Sequence, residues 1–98
     1  MKQSQVCIPW KDGLHARPAA RLVRRALAFQ SSVSLKVGQR IADARSILAV
    51  LLLCATFGTV LDIEVSGSDE EQALAAITSL FESDTDPEAE PADEADRR

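Results

Sequence analysis

The chain is poor in the residues that build metal and redox centres. Its 98 residues include one histidine and two cysteines. Cys7 and Cys54 are far apart, with no CxxC spacing and no cluster of partner residues, so neither a zinc site nor a dithiol motif is supported. Two free thiols fit a reducing compartment. Long hydrophobic runs are also missing. The longest, Ile47 to Ala55, is about half of the ~18–20 residues a membrane span requires. The opening residues Met1-Lys2-Gln3-Ser4-Gln5 lack the apolar core and small-residue cleavage site of a signal peptide. An overall basic charge is absent as well. The formal net charge is −4, which gives no electrostatic reason to expect nucleic-acid binding. These absences lead to the expectation of a small cytoplasmic protein with no metal, no nucleic-acid partner and no direct membrane insertion.

What is present is an ordinary globular composition, 46% hydrophobic and 27% charged, at a length that suits one domain. The charge is unevenly placed. Residues 1–82 hold nine Lys/Arg and eight Asp/Glu, a balance of +1, whereas residues 83–98 hold two Arg and seven Asp/Glu, a balance of −5. That last segment has Pro87 and Pro91 and no large apolar residue. It cannot bury enough surface to offset its ordering entropy. The sequence therefore divides into a domain over 1–82 and an acidic, disordered tail over 83–98.

Within the domain, hydrophobic periods define the elements. Residues 3–9 alternate, with Val6 and Ile8 on one face, and Pro9 ends a first strand. After the turn-like Lys11-Asp12-Gly13, residues Ala19, Leu22, Val23 and Ala26 recur at helical spacing over about 16–28, with Arg17, Arg21, Arg24 and Arg25 mostly outside that stripe. Pro18 lies near the helix start, where its missing N–H is harmless. Val33, Leu35 and Val37 alternate with polar residues, and Gly38-Gln39 turns the chain into a short strand around Arg40–Ala42. Ser46 can cap a short helix in which Ile47, Val50 and Leu53–Cys54 are expected to face the sheet, with Leu48, Leu51 and Leu52 pointing partly outward. Val60–Ser66 alternates as a strand. Asp69 then reads as the cap of a last helix carried by Leu74, Ile77, Thr78 and Phe81 to about residue 82. The order βαββαβα, with hairpins and short connections, points to an α+β fold with a mainly antiparallel sheet and helices on one face.

His15 stands at the junction of a turn and a helix, in Gly13-Leu14-His15-Ala16-Arg17-Pro18-Ala19-Ala20. The first N–H groups of a helix have no intrahelical acceptor, and the macrodipole places partial positive charge there. An anion beside His15 would meet backbone donors and the guanidinium fork of Arg17. A neutral imidazole, the main form of a free histidine at pH 7, is a competent nucleophile. These parts suit a histidine that is phosphorylated. They also suit a helix-start or surface histidine with no chemistry, and the residues alone leave both readings standing. No serine-type nucleophile motif surrounds it.

The segment GLHARPAA resembles the active-site segment of the HPr family, the histidine-containing phosphocarriers of the bacterial phosphoenolpyruvate-dependent sugar phosphotransferase system. The likeness extends from about Lys2 to Phe81, through Ala44-Arg45-Ser46-Ile47-Leu48 and Gly58-Thr59-Val60. It implies the HPr-like βαββαβα open-faced sandwich, a four-stranded sheet covered on one face by three helices. It implies that enzyme I, charged by phosphoenolpyruvate, phosphorylates His15, and that the group passes to a IIA-type acceptor. Backbone N–H groups near Ala16 and Arg17 would receive the phosphoryl oxygens, and Arg17 would offset charge. No cofactor or metal is implied. The chain would be a covalent carrier rather than an enzyme with turnover, and a monomer.

The resemblance gives Ser46 a second role beside capping, phosphorylation by an HPr kinase/phosphorylase, which would add negative charge next to the enzyme I docking surface. It also assigns partner docking to Ala20, Arg24, Arg45, Ile47, Leu48, Leu51 and Leu52. The alternative for the short helix is burial on most sides. Arg21, Arg24 and Arg25 read as a basic rim facing acidic partners, or as a merely solvated face. Two features depart from the family. Asp12 stands where a small polar residue is usual, and the acidic tail is not an HPr feature. The tail is expected to be dispensable for phosphotransfer, or to shield the arginines weakly and in a salt-dependent way. An alternative function is an HPr-like regulator, in a nitrogen-type relay or in carbon catabolite control, acting by phosphorylation-dependent binding to enzymes or a transcription factor.

Overall fold

The strand residues of this chain alternate cleanly enough to fix which face of each strand is buried. In the computed structural model, which describes residues 1–82, the elements are β1 (Lys2–Cys7), α1 (Ala16–Leu27), β2 (Ser32–Val37), β3 (Arg40–Asp43), α2 (Ile47–Leu52), β4 (Val60–Ser66) and α3 (Glu70–Phe81). The expected acidic tail and its lack of order lie outside the described residues. The sheet order is β1-β4-β2-β3, with every neighbouring pair antiparallel. Opposite residues include Val6 and Leu61, Val33 and Val65, and Leu35 with both Ile63 and Ala42.

Leu61, Ile63 and Val65 of β4 and Val33 and Leu35 of β2 point into the core. Asp62, Glu64, Ser34 and Lys36 fall on the opposite, open face, where Gln5 Nε2 donates to Asp62 Oδ1 at 2.7 Å. The three helices cover the inner face. Buried side chains such as Leu22, Leu35, Leu53, Ile63 and Ile77 each contribute on the order of 1.5–3 kcal/mol of transfer free energy. The first strand stops at Cys7 rather than at Pro9, but Ile8 still donates to Thr59 O at 2.9 Å and accepts from Gly58 N at 2.8 Å.

α1 buries Pro18, Ala19, Leu22 and Ala26, the stripe its spacing predicts, with Val23 half-buried. α3 differs from the expected pattern: its buried stripe is Ala73, Ile77, Leu80 and Phe81, while Leu74 and Thr78 are half-buried. The Thr78 hydroxyl donates back to Leu74 O at 2.8 Å, which satisfies it within the helix. Asp69 occupies the N-cap position of α3 but makes no side-chain cap. Its carboxylate turns instead onto the link between α1 and β2, accepting Gln30 N and Ser31 N at 2.9 Å each and the hydroxyl of buried Ser31. The Ser31 hydroxyl, then the Gln30 amide, hold Asp69 below the usual carboxylate range. Glu70 is held low by Gly67 N–H and then by the N-terminal ammonium, both within 3.1 Å.

Candidate functional site

The loop between β1 and α1 is fastened at three points. Gly13 N donates to Trp10 O at 2.8 Å, Leu14 N to Ala55 O at 2.8 Å, and His15 N to Gly13 O at 3.0 Å. Gly13 has φ +75, and a Cβ built on it would stand 2.6 Å from Ala55 O. Only glycine lets the two loops approach this closely. The facing loop is itself braced, since Thr59 Oγ1 accepts Thr56 N at 3.1 Å and lies 3.0 Å from Thr56 Oγ1. From below, Trp10 packs on Phe81 with ring centroids 5.1 Å apart.

This scaffold presents His15 as the N-cap residue of α1, in extended conformation and with no side-chain capping bond. The imidazole is half-buried, with Nε2 on its buried side. His15 O accepts Ala19 N at 2.9 Å, the first intrahelical bond. Pro18 is the third helical residue and has no N–H, so only the amides of Ala16 and Arg17 lack an acceptor within the helix. Both residues are exposed. The start of α1 therefore offers two backbone donors and the dipole end beside one imidazole, with the exposed Arg17 in the same first turn. Among the described residues no group of three or more His, Cys, Asp or Glu could hold a metal ion. Asp12, two residues before Leu14, is exposed.

α1 and α2 pack side by side, so α2 borders this region. The Ser46 hydroxyl accepts Ala49 N at 3.2 Å, the capping bond its position predicts. Val50 and Leu53 are buried, but Ile47 is 40% exposed and Cys54 is exposed, against the expectation that both face the sheet. The reason is length. α2 has six residues, enough for one buried ridge at Val50 and Leu53. Ile47 precedes that ridge, and Cys54 follows the C-cap in a left-handed conformation, φ 54, that turns its side chain outward. Leu48 and Leu52 are each 65% exposed, and Leu51 is half-buried against the core. Ala20 is half-buried on α1 and Arg24 is exposed.

Arg25 and Arg45 have structural commitments that their sequence positions do not reveal, as does Arg40, whose Nη1 donates to Leu53 O at 3.2 Å. Arg25, placed in the basic rim, donates from Nη1 to Ala76 O at 3.0 Å and to Ser79 Oγ at 3.4 Å. Its guanidinium ties α1 to α3. Arg45 Nη2 lies within 3.3 Å of the carbonyls of Phe29, Gln30 and Ser31, and so closes the chain end of α1. Sequence reasoning also missed Phe57, which projects from the loop facing His15 and is 65% exposed. The adjacent Gly58 marked a turn there, but nothing marked its neighbour as a presented aromatic.

An open-faced α+β sandwich with a histidine at the N-terminus of its first helix defines a narrow class of proteins. The family model for the phosphorylation site of the HPr component of the phosphotransferase system matches residues 2–83. The phosphocarrier protein HPr of Xylella fastidiosa is 40% identical over 82 residues, covering 84% of this chain and 92% of that protein. The phosphocarrier protein NPr of Proteus mirabilis is 43% identical over 83 residues, with the same coverage. Among solved structures, HPr from Thermoanaerobacter tengcongensis superposes with a TM-score of 0.82 at 37% identity, covering 86% of this chain and 94% of that one. The chain belongs to the HPr family of phosphocarrier proteins.

Proposed function

We propose that this chain accepts a phosphoryl group on His15 from phospho-enzyme I and passes it to a IIA-type acceptor. The observation that carries this reading is the placement of His15 at the start of α1, beside the amides of Ala16 and Arg17. With Nε2 on the buried side, Nδ1 is the attacking atom. Its lone pair forms the N–P bond while the bond from phosphorus to the donor breaks, and the reverse events load the acceptor. Arg17 offsets the charge carried by the phosphoryl oxygens as the group moves. The protein is a covalent carrier and needs no metal or cofactor of its own.

Docking uses the surface bordering His15, with Ala20, Arg24, Ile47, Leu48, Leu51 and Leu52 contacting the partner and Arg45 shaping its edge. The exposed leucines of α2 support this assignment. Phosphorylation of Ser46 by an HPr kinase/phosphorylase places negative charge on the same surface and weakens enzyme I docking. The domain over 1–82 acts as a monomer in the cytoplasm, and no described helix is long and apolar enough to cross a membrane.

Incubation with enzyme I and radiolabelled phosphoenolpyruvate should give an acid-labile phosphoprotein that disappears in His15→Ala. Equal labelling of His15→Ala would refute the assignment. Acid-stable labelling by ATP and a cognate kinase, lost in Ser46→Ala, tests the regulatory layer. A second reading, service in a nitrogen-type regulatory relay, is favoured by the match to a protein named NPr at an identity similar to that of the HPr match. Loading rates with the sugar-branch and nitrogen-branch forms of enzyme I separate the two.

A further inference from the structure

α1 carries four arginines over its 12 residues and no acid. Arg25 is held by α3, Arg17 and Arg24 are exposed, and Arg21 is half-buried on the face shared with Arg17 and Arg25. Of the domain's acids, Asp12 is exposed in the loop before His15, Asp43 ends β3 and Glu82 follows α3. Asp62 and Glu64 are on the open sheet face, Glu70 and Glu71 are in the first turn of α3, and Asp69 is turned onto Gln30 and Ser31. The remaining 16 residues of the sequence, 83–98, have a charge of −5, with seven acids between Asp84 and Asp96.

The point where that segment begins is fixed by the fold. α3 ends at Phe81, which packs on Trp10, and Trp10 O accepts the amide of Gly13, two residues before His15. Along the contact between α1 and α3, Arg25 meets Ala76 and Ser79, while Phe81 packs on Trp10 in the loop that leads to His15. Arg21 lies one helical turn from Arg25 on the side of His15. If the 16-residue segment has random-coil dimensions, its root-mean-square span is about 20–24 Å. A 12-residue helix is about 18 Å long. On that basis its reach would be comparable to the length of α1.

We propose that the acidic tail, residues 83–98, is the occupant of the Arg17–Arg21–Arg24 side of α1, binding it in cis as a tethered, salt-sensitive competitor of anionic partners that approach His15. Exposed charge pairs are individually weak, but a tether raises the local tail concentration to the millimolar range. The contact stands on charge and geometry alone. Its control over His15 rests on the carrier reading.

The test compares the full chain with a full-length variant in which every Asp and Glu from Asp84 to Asp96 is changed to Asn or Gln. Amide spectra are recorded at about 20 mM and about 300 mM salt, where the screening length falls roughly from 20 to 6 Å. At low salt the amides of residues 15–25 should differ between the two chains. The differences should shrink at least twofold at high salt and be independent of protein concentration. Coincident spectra at low salt, differences indifferent to salt, or differences that grow with concentration, as when one copy's tail binds another copy, would each overturn the contact. With phospho-enzyme I, the neutral-tail variant should be labelled severalfold faster at low salt and equally fast at high salt. Equal rates at low salt would overturn the competitor role. Failure to label either chain would overturn the carrier reading and that role together, and the spectra would still decide the contact.

Discussion

Replacing Gly13 by alanine adds one methyl group at the point where the loop carrying His15 touches the loop after α2. Two costs arise. A non-glycine residue in the left-handed region costs about 1–2 kcal/mol, and Gly13 has φ +75. The new Cβ would also stand 2.6 Å from Ala55 O and 3.0 Å from Thr56 Cα, both backbone atoms that cannot rotate away. Relief requires the loops to part, which breaks the 2.8 Å bond from Leu14 N to Ala55 O between two buried residues. Losing such a bond costs about 1–3 kcal/mol, so the total is about 2–5 kcal/mol. Gly38 provides the control. It has φ +60 in the β2–β3 turn, with nothing within 4 Å of a built Cβ, so Gly38→Ala loses only the first, conformational part. Urea and thermal unfolding of both variants measure the difference. A domain of this size loses roughly 4–8 °C per kcal/mol, so Gly13→Ala should melt on the order of 10 °C or more below the parent and well below Gly38→Ala. Equal losses in the two variants would refute the close approach as the reason for Gly13.

Ser46→Ala should lose about 1 kcal/mol, the usual worth of an N-cap, read as a lower urea midpoint with an unchanged slope; no loss would mean the bond to Ala49 N is not formed in solution. Cys54→Gly should leave stability unchanged or raise it by up to about 1 kcal/mol, because φ 54 suits glycine, whereas Cys54→Val should lower it; a clear loss in the glycine variant would contradict this. Asp69 and Glu70 are held below the carboxylate range in the folded chain. Their stabilisation is therefore full above the unfolded values, near about 4, and disappears as pH falls through the lower folded values. Urea midpoints from pH 6 down to pH 2 should fall accordingly, and Asp69→Asn should flatten the curve; an unchanged slope would remove Asp69 as a contributor.

The sheet was legible because its strands alternate and only one face is covered. Leu61, Ile63 and Val65 could not be moved by one residue without placing Asp62 and Glu64 in the core. The position of His15 was legible because Pro18 and the arginine-flanked stripe mark a helix start. Side chains that reach across the fold were not legible. Asp69 looks like a cap in sequence, yet its partners are 38 and 39 positions away at Ser31 and Gln30. Arg25 and Arg45 look like surface cations and are bound to carbonyl oxygens of α3 and of the α1 chain end. The exposure of Ile47 was missed because a periodicity argument assumes full turns, and α2 has fewer than two.

The proline in the third position of α1 limits how firmly the helix can grip. In the proposed carrier role, a phosphoryl group on His15 would carry three outer oxygens. With Pro18 silent, the amides of Ala16 and Arg17 are the only orphan donors of the first turn, so the backbone alone cannot satisfy all three. At least one oxygen is left to a guanidinium, to water or to whatever docks. In that role the cargo would be held at the helix end with part of it turned outward, within reach of the next protein that takes it.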